Sequence, residues 1–326
     1  MSVIEFYESD VLVVDQHVTD RAALYCGDSV DVVKGFRESS IGLTVTSVPF
    51  PGMYAYTNSA RDIGNVKDIA QMIEQTRYLM GPQGLLRATM PGRLCAIHLS
   101  QTMAHKYRDG YIGIRDFRGQ MIQLMQDEGW IFAGESTIDK DAQVKASRTK
   151  EQALLYKTLA TDSTKCRPTL ADYIVLFRKP GENPVPVKAA IHEGYNPGGG
   201  WIAIEEWNEW AGPIWHRQRP GIPHGIKETD VLNVRQARET DDERHLCPLQ
   251  LGVIDRLIKL YSAPGDTVYD PFGGIGSVPY IAVKLGRNGA ASELKRSYFN
   301  SAVENVKTAE AYQSQPSLLD LLAATA

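Results

Sequence analysis

The sequence predicts an α/β protein with a doubly wound, Rossmann-like sheet, and features near the C-terminal end carry this prediction. Residues 267–269 are typical of a short buried strand, and a glycine-rich loop, DPFGGIGS, follows at 270–277. Residues 278–285 have helical spacing, and a second predicted strand, 289–292, ends at Glu293. Such a loop lets backbone amides at a helix N-terminus approach a ligand. An acid after the next strand can accept hydrogen bonds from a ribose.

The position of this loop predicts that the fold is circularly permuted. Only a short segment follows Glu293 before the last residue, Ala326. A doubly wound sheet binds its ligand between two sets of strands. The remaining strands must therefore come from the N-terminal side of the loop, so the ligand loop comes last in the chain.

Composition and charge are those of an ordinary globular protein with 43% hydrophobic and 23% charged residues. The net charge of −4 means that any nucleic-acid binding depends on local basic patches. The four cysteines form no C-x-x-C pair, so we expect neither a zinc site nor a disulfide framework, and no metal. The sequence has no signal-peptide pattern and no apolar run that could span a bilayer. We therefore expect a cytoplasmic protein with no membrane partner.

The N-terminal part of the chain supplies the other predicted elements. Asp28 follows the second strand in a Gly-Asp turn and is a candidate helix cap. His98 lies within a central strand, where we expect a core or edge histidine rather than a catalytic one. The predicted strands are 10–15, 22–26, 41–46, 92–100, 130–132 and 173–177, and the predicted helices are 29–37, 66–80 and 114–128.

A polar residue, a proline and an aromatic residue follow the strand at 41–46, in the sequence Ser47-Val48-Pro49-Phe50. An ordinary proline turn would explain this pattern. It also resembles the (Asp/Asn/Ser)-Pro-Pro-(Tyr/Phe/Trp) motif of N6-adenine and N4-cytosine DNA methyltransferases. The resemblance implies that Ser47 Oγ and the carbonyl of Val48 accept both hydrogens of an exocyclic amine, while Phe50 stacks on a flipped base. Val48 replaces the first proline, which keeps the carbonyl but loses the rigidity of the ring.

The glycine-rich loop favours one of two nucleotide-binding interpretations. The dinucleotide fingerprint G-x-G-x-x-G fails, because Pro279 stands where the third glycine is required. The form Asp-Pro-Phe-x-Gly-x-Gly resembles the S-adenosylmethionine (SAM) loop of the same methyltransferases, although an isolated turn would look similar. The resemblance implies that the following residues bind SAM, with Asp28 against the adenine: Asp270, Phe272, Gly274, Gly276 and Glu293.

The segment before this loop departs from the family pattern. Residues 245–262 predict an amphipathic helix and resemble the family's His-Pro-Thr-Gln-Lys-Pro segment with its following helix. Leu249 and Gln250 replace the lysine and the second proline, so a salt bridge to the cofactor carboxylate is lost. The resemblance then leaves Ser277 or backbone amides to bind that carboxylate.

Three further regions are candidates for DNA contact. Residues 183–242 are predicted to be a target-recognition insertion with its own small core, in which some tryptophans pack and others contact bases. Residues 52–65 resemble a loop of phage and prophage methylases. A basic stretch is either a solvated face or a phosphate contact, and it contains Lys140, Lys145, Arg148 and Lys150. The tryptophans of the insertion are Trp201, Trp207, Trp210 and Trp215.

The order of the motifs resembles the permuted β class of amino DNA methyltransferases. This implies a catalytic half at 1–182, the insertion at 183–242 and a SAM-binding half at 243–326. We expect a SAM-dependent, site-specific methyltransferase of restriction–modification or phage type that acts on double-stranded DNA. Serine in the motif favours N4-cytosine over N6-adenine. A homodimer, an RNA substrate and a catalytically impaired SAM- and DNA-binding protein stay open.

Overall fold

The computed structural model describes residues 13–51, 57–66, 68–149, 155–194, 196–197, 199–233 and 249–313. Its strands are β1 (Val13–Val18), β2 (Ala22–Gly27), β3 (Ile41–Ser47), β4 (Thr89–Ser100), β5 (Thr102–Ala104), β6 (Gly113–Arg115), β7 (Ile131–Ile138), β8 (Asp172–Arg178), β9 (Ile214–Trp215), β10 (Thr267–Asp270) and β11 (Asn288–Glu293). Its α-helices are α1 (Ser29–Lys34), α2 (Ile69–Met80), α3 (Leu85–Ala88), α4 (Lys106–Asp109), α5 (Phe117–Asp127), α6 (Ala142–Thr149), α7 (Tyr156–Thr161), α8 (Ile204–Trp210), α9 (Leu251–Tyr261), α10 (Ser277–Lys284) and α11 (Arg296–Gln313).

One large sheet contains most of the strands, in the order β1-β2-β11-β10-β3-β4-β8-β7-β9. The central pairs from β2 to β4 are parallel, whereas β8 runs antiparallel to both β4 and β7. The two C-terminal strands, β10 and β11, lie between β2 and β3. The N-terminal strands therefore complete the sheet around the glycine-rich loop, as the sequence predicted.

Helices cover both faces of the sheet. Successive residues of a strand point to opposite faces, so each strand contributes to two cores. On β10, Val268 joins the core beneath α9 and α10, whereas the next residue, Tyr269, joins the core beneath α1, α2 and α5. Helix α11 packs through Val306 against β2 and β11. An apolar strand covered on both faces is the arrangement expected for a parallel sheet.

The predicted elements are confirmed with small changes at their ends. The helix predicted at 66–80 begins at Ile69, and the strand predicted at 130–132 continues as β7 to Ile138. The helix predicted at 114–128 begins at Phe117, because residues 113–115 pair with β5 as the hairpin strand β6. The helix predicted at 245–262 is α9, and residues 245–248 lie outside the described part of the chain.

The predicted insertion has no separate core within the described residues, contrary to expectation. Trp215 on β9 joins the core beneath α9, and β9 itself pairs with β7. The rings of Trp210 and Trp215 lie 5.1 and 4.6 Å from the guanidinium of Arg256 on α9. Trp201 Nε1 donates a hydrogen bond to the carbonyl of Lys259. These indoles bury apolar area and stack on a cation, which holds the segment against α9.

The loss of stability on replacing a tryptophan by alanine should be large for a packed indole and small for an exposed one. Trp215 is 2% exposed, so we expect Trp215→Ala to lower the free energy of unfolding by about 3–5 kcal/mol. Trp207 is 48% exposed, so Trp207→Ala should change it by less than about 0.5 kcal/mol. Urea denaturation would measure both. Equal effects of the two substitutions would contradict the packing described here.

Candidate active site

A cavity of about 820 Å³ opens at the carboxyl edge of the sheet. Strands β3, β10 and β11 end at this edge, and β8 begins there because it runs in the opposite direction. The cavity therefore collects residues that are remote in sequence. Its lining includes most of the predicted site residues: Asp28, Ser47, Val48, Pro49, Phe50, Asp270, Phe272, Gly274, Ser277 and Glu293.

The glycine-rich loop forms one wall of the cavity. Gly274 and Gly276 have φ values of +51° and +82°, in the left-handed region that side chains disfavour. Gly276 is not among the lining residues, and a Cβ there would lie 2.9 Å from the Cβ of Ala302 on α11. Gly276 therefore shapes the turn into α10 and lets α11 approach.

Two carboxyl groups lie beneath this loop: Asp270, which is buried, and Glu293, which is partly buried. Asp270 Oδ1 accepts hydrogen bonds from Thr46 Oγ1 at 2.7 Å and from the Phe272 amide at 3.0 Å. Glu293 accepts from the Gly274 amide at 2.8 Å and from the Lys295 amide at 2.7 Å. Burial raises the pKa of each carboxyl group to about 7, because desolvation disfavours the charged form.

A hydroxyl group at the start of α10 has no hydrogen-bond partner among the described residues. Ser277 is 7% exposed and lines the cavity, and its buried Oγ is unpaired within that part of the chain. Buried polar atoms are normally satisfied. The orphaned hydroxyl and the first amides of the helix therefore suit a polar ligand in the cavity.

Asp28 serves as the predicted helix cap and also lines the cavity. Its Oδ1 accepts a hydrogen bond from the Val30 amide at 2.9 Å at the start of α1. Its Oδ2 lies 3.1 Å from Arg61, which also pairs with Asp31. Arg61 lies within the loop at 52–65 that the sequence analysis named, but its contact with Asp28, 33 positions away, could not be predicted from the sequence.

The Ser47–Phe50 motif lines the cavity beside the glycine-rich loop, because β3 pairs with β10. Ser47 is the last residue of β3, and Phe50 is half-buried with its ring 6.1 Å from that of His98 at 75°. The side chain of Val48 is 1% exposed and belongs to the core. Replacing proline by valine therefore changes core packing and backbone stiffness rather than the polar groups of the cavity.

Two residues that sequence reasoning did not select lie behind Ser47. His98 Nδ1 is 2.9 Å from Ser47 Oγ, and His98 Nε2 is 3.5 Å from Asp172 Oδ2. All three residues line the cavity. His98 is 8% exposed, as expected for a core or edge histidine, and it also contacts Ser47. A signal existed, since His98 is near the end of one strand and Asp172 begins another. The pairing of Ser47 with His98 depends on strand register, which the sequence leaves undetermined.

The described part of the predicted basic stretch contacts this carboxylate. Lys140 Nζ lies 3.2 Å from Asp172 Oδ2, and Lys145 pairs with Asp172 Oδ1. Burial alone would raise the pKa of Asp172, but the interactions with His98, Lys145 and Lys140 hold it well below its usual range. The side chain of Arg148 and all of Lys150 lie outside the described residues.

Comparison with known families settles the relationship of this chain. Residues 42–304 match the N6/N4 DNA methylase family, a region that includes both motifs. The chain belongs to this DNA methylase family. The two motifs that line the cavity are thus parts of one family domain.

Curated relatives of this chain include type II methyltransferases. M.BglI from Bacillus subtilis is 30% identical over 138 residues, which are 42% of this chain and 31% of the relative. M1.MboII from Moraxella bovis is 26% identical over 184 residues, which are 55% of this chain and 64% of the relative. The chain thus spans from about a third to just under two thirds of the relatives it matches.

Solved structures confirm the α/β fold. TTHA0409 from Thermus thermophilus, in complex with S-adenosyl-L-methionine, aligns with a TM-score of 0.60 and 19% identity over 89% of this chain and 93% of that one. PvuII DNA methyltransferase (cytosine-N4-specific) aligns with a TM-score of 0.59 and 15% identity over 88% of this chain and 86% of that one. Within the described residues, no helix is both long and apolar enough to cross a membrane.

The two carboxyl groups beneath the loop predict how stability changes with pH. Their raised pKa values mean that, at a pH between the ordinary value and about 7, each group is still protonated in the folded protein but ionised in the unfolded chain. Their contribution to the free energy of unfolding is therefore largest below about pH 4 and is lost as the pH rises through about 7. Asp270→Asn cannot ionise, so we expect it to lose less stability than the wild type between about pH 5 and about pH 8.

Urea denaturation at several pH values would test this prediction. Asp20→Asn is the matched control, because Asp20 is exposed and lies away from the cavity lining. The control should follow the wild-type pH dependence. A pH dependence of Asp270→Asn identical to the wild type would show that Asp270 does not hold the proton.

Proposed function

We propose that this protein transfers a methyl group from S-adenosylmethionine to an exocyclic amino group of a base in double-stranded DNA. The observation that carries the proposal is that the glycine-rich loop and the Ser47–Phe50 motif face one cavity in a DNA methylase family chain. One wall offers buried polar groups for a nucleoside, and the other offers acceptors for an amine. The SAM complex of TTHA0409, which shares the fold, supports this assignment.

The glycine-rich wall fits SAM. Glu293 ends the second strand, where a carboxylate accepts hydrogen bonds from a ribose diol. The orphaned Ser277 Oγ and the amides at the start of α10 suit the cofactor carboxylate, in place of the lysine that the family pattern would supply. Phe272 supplies an apolar surface, and Asp270 holds the loop through its bond to the Phe272 amide. Gly274 lets the backbone approach, and Gly276 permits the turn.

Asp28 completes the nucleoside site in this proposal. Its carboxylate is oriented by the cap of α1 and by Arg61, and it faces the cavity from the end of β2. We assign it to the adenine end of the cofactor. Arg61 would then close that end, because it joins Asp28 and Asp31 beside the cavity.

The Ser47 wall accepts the target amine. Ser47 Oγ and the carbonyl of Val48 each accept one amine hydrogen, which localises the nitrogen lone pair and directs it at the methyl group. Phe50 stacks on the base, and Pro49 fixes the backbone turn between Val48 and Phe50. A base inside a duplex cannot enter this cavity, so the target base must be flipped out. The serine favours N4-cytosine over N6-adenine in this proposal.

The order of the parts along the chain supports the permuted arrangement. The amine site at 47–50 comes from the first half, 1–182, and the cofactor site comes from the last part, 243–326. We propose that the segment between them, 183–242, contributes to target recognition. Among its tryptophans, Trp207 is the indole left 48% exposed, so it is the candidate for a base contact.

A hairpin beside the cavity offers a surface for the duplex. Strands β5 and β6 and helix α4 expose Tyr107 and Ile112, which are 88% and 74% exposed. Phe50 and Lys145 line both the main cavity and a smaller pocket at the base of this hairpin. Apolar side chains next to a base-accepting cavity suit insertion into the space that a flipped base leaves. We propose that the hairpin contacts the duplex there.

Mass spectrometry of the reaction product tests the proposed function. Purified protein is incubated with labelled SAM and unmethylated duplex DNA or RNA, and the nucleosides are analysed. We expect N4-methylcytosine, or N6-methyladenine, in DNA. Ser47→Ala should lower the rate about 100-fold with SAM binding retained, because it removes one preorganised polar group. Unmodified DNA with intact SAM binding would favour a catalytically impaired binder, and methylated RNA alone would favour an RNA substrate.

Truncation of the hairpin should impair duplex substrates selectively. Tyr107→Ala and Ile112→Ala should each lower kcat/KM for duplex DNA about tenfold, since stacking contributes about 1–3 kcal/mol per base. The loss should shrink when the target base is mismatched, because the base then leaves the stack at lower cost. Val14→Ala, at a side chain also 74% exposed but outside the cavity lining, is the control. Equal losses on duplex and mismatched DNA would contradict this role.

A further inference from the structure

A chain of polar groups runs from Ser47 into the interior. Ser47 Oγ lies 2.9 Å from His98 Nδ1, and His98 Nε2 lies 3.5 Å from Asp172 Oδ2. His98 and Asp172 are 8% and 6% exposed. Lys140 and Lys145 pair with the two oxygens of Asp172. These contacts bring together β3, β4, β8 and the segment that contains α6.

The charges of this chain determine which nitrogen of His98 carries the proton. The two lysines and His98 keep the pKa of Asp172 well below its usual range, so Asp172 is a carboxylate and only accepts hydrogen bonds. Within the described residues His98 Nε2 makes no hydrogen bond, and it lies 3.5 Å from Asp172 Oδ2, so a lone pair on Nε2 would face the carboxylate. The charge of Asp172 therefore favours the tautomer with its hydrogen on Nε2, which leaves a lone pair on Nδ1. Ser47 must then donate its hydroxyl hydrogen to His98 Nδ1.

This arrangement matters because a hydroxyl group can rotate. The carbonyl oxygen of an asparagine or aspartate is always an acceptor, whereas a serine hydroxyl group can point its hydrogen at the substrate. Once its hydrogen is bound to His98, Ser47 Oγ can present only lone pairs to the cavity. The histidine thereby makes serine equivalent to the carbonyl acceptors used at this motif position.

We propose that His98 is a positioning residue that holds Ser47 as an acceptor for the amine and receives the proton that the amine releases. The inference rests on the proposed function and adds to it the route of the proton. Asp172 orients the imidazole ring. Lys140 and Lys145 balance the buried carboxylate.

The proposed proton route accounts for the bonds and the charge that change in the reaction. SAM supplies a methyl group on a sulfonium, so transfer breaks the S–C bond, forms an N–C bond and leaves a neutral thioether. The methylated nitrogen carries a positive charge and loses one proton to Ser47 Oγ. Ser47 passes its own hydroxyl proton to His98 Nδ1, and His98 becomes an imidazolium beside Asp172. The lysines disfavour this cation, so His98 returns the proton to solvent when the product leaves.

The pH dependence of the single-turnover rate distinguishes titration of His98 from a loss of packing. A packing defect would lower the rate without changing its apparent pKa. Burial lowers the pKa of His98 from 6.5, Asp172 opposes this effect, and Lys140 and Lys145 add to it. Protonated His98 cannot accept the Ser47 hydrogen, so the single-turnover rate should fall in acid with an apparent pKa below 6.5. Lys145→Gln should move this acidic limb to higher pH, because one opposing charge is removed.

The matched control for this shift is Lys165→Gln. Lys165 lies outside the cavity lining, with its side chain 72% exposed and paired with Asp162. The control should not change the apparent pKa at which the rate falls in acid. A limb that does not move in Lys145→Gln would contradict the titration of His98.

Substitution of His98 tests the positioning role. His98→Leu should lower the single-turnover rate about 100-fold and remove the acidic limb, with SAM binding unchanged. In a Ser47→Asn background the same substitution should cost less, because the asparagine carbonyl needs no orienting partner. Equal costs in the two backgrounds, or an acidic limb that persists in His98→Leu, would overturn the inference.

A measurement without turnover separates this inference from the proposed function. Nitrogen NMR of the imidazole, assigned with His98→Leu, should show the Nε2–H tautomer and a pKa below 6.5. The Nδ1–H tautomer would overturn the role of His98 while leaving DNA methylation intact. Failure of the wild type to methylate any nucleic acid would overturn the proposed function, and the proton route with it.

Discussion

The parallel pairing of β10 with β3 is the constraint on which the rest of the structure depends. It joins strands that are remote in the sequence, and the buried hydrogen bond between Thr46 Oγ1 and Asp270 Oδ1, 224 positions apart, connects the two strand ends at 2.7 Å. Because parallel strands end at the same edge, this pairing alone brings the amine motif beside the cofactor loop. The order of these parts along the chain is then immaterial to the site.

Burial at that edge sets the electrostatics of the cavity. Asp270 and Glu293 lie where desolvation raises the pKa of each to about 7, and each accepts two hydrogen bonds from nearby groups. A carboxyl group in such surroundings costs stability when it ionises. The cost is offset if the group also binds a ligand, and perturbed groups of this kind cluster at functional sites. The orphaned Ser277 Oγ beside them fits the same explanation.

The sequence predicted the parts of the site that are local in the chain. The strand, glycine turn and helix around Asp270 follow from short-range pattern, as does the motif that begins at Ser47. The contacts of His98 with Ser47 and Asp172 could not be predicted, because they depend on the register of β3 against β4 and on an antiparallel strand that starts at Asp172. The separate core expected for the insertion was wrong for a similar reason. A cluster of tryptophans indicates packing but does not say that the partner is Arg256, far along the chain.

The cluster around Asp172 is the costliest part of the site to assemble. An unpaired buried carboxylate is expensive, and even a well-paired buried ion cluster is often no more stable than apolar side chains of the same volume. His98, Lys140 and Lys145 satisfy Asp172, but burying two lysine amines adds a desolvation cost of its own. A stability requirement alone would favour an apolar filling between β4, β8 and α6. The charges are better explained by the proposed orientation of the Ser47 hydroxyl group, the one polar side chain of the motif that lines the cavity.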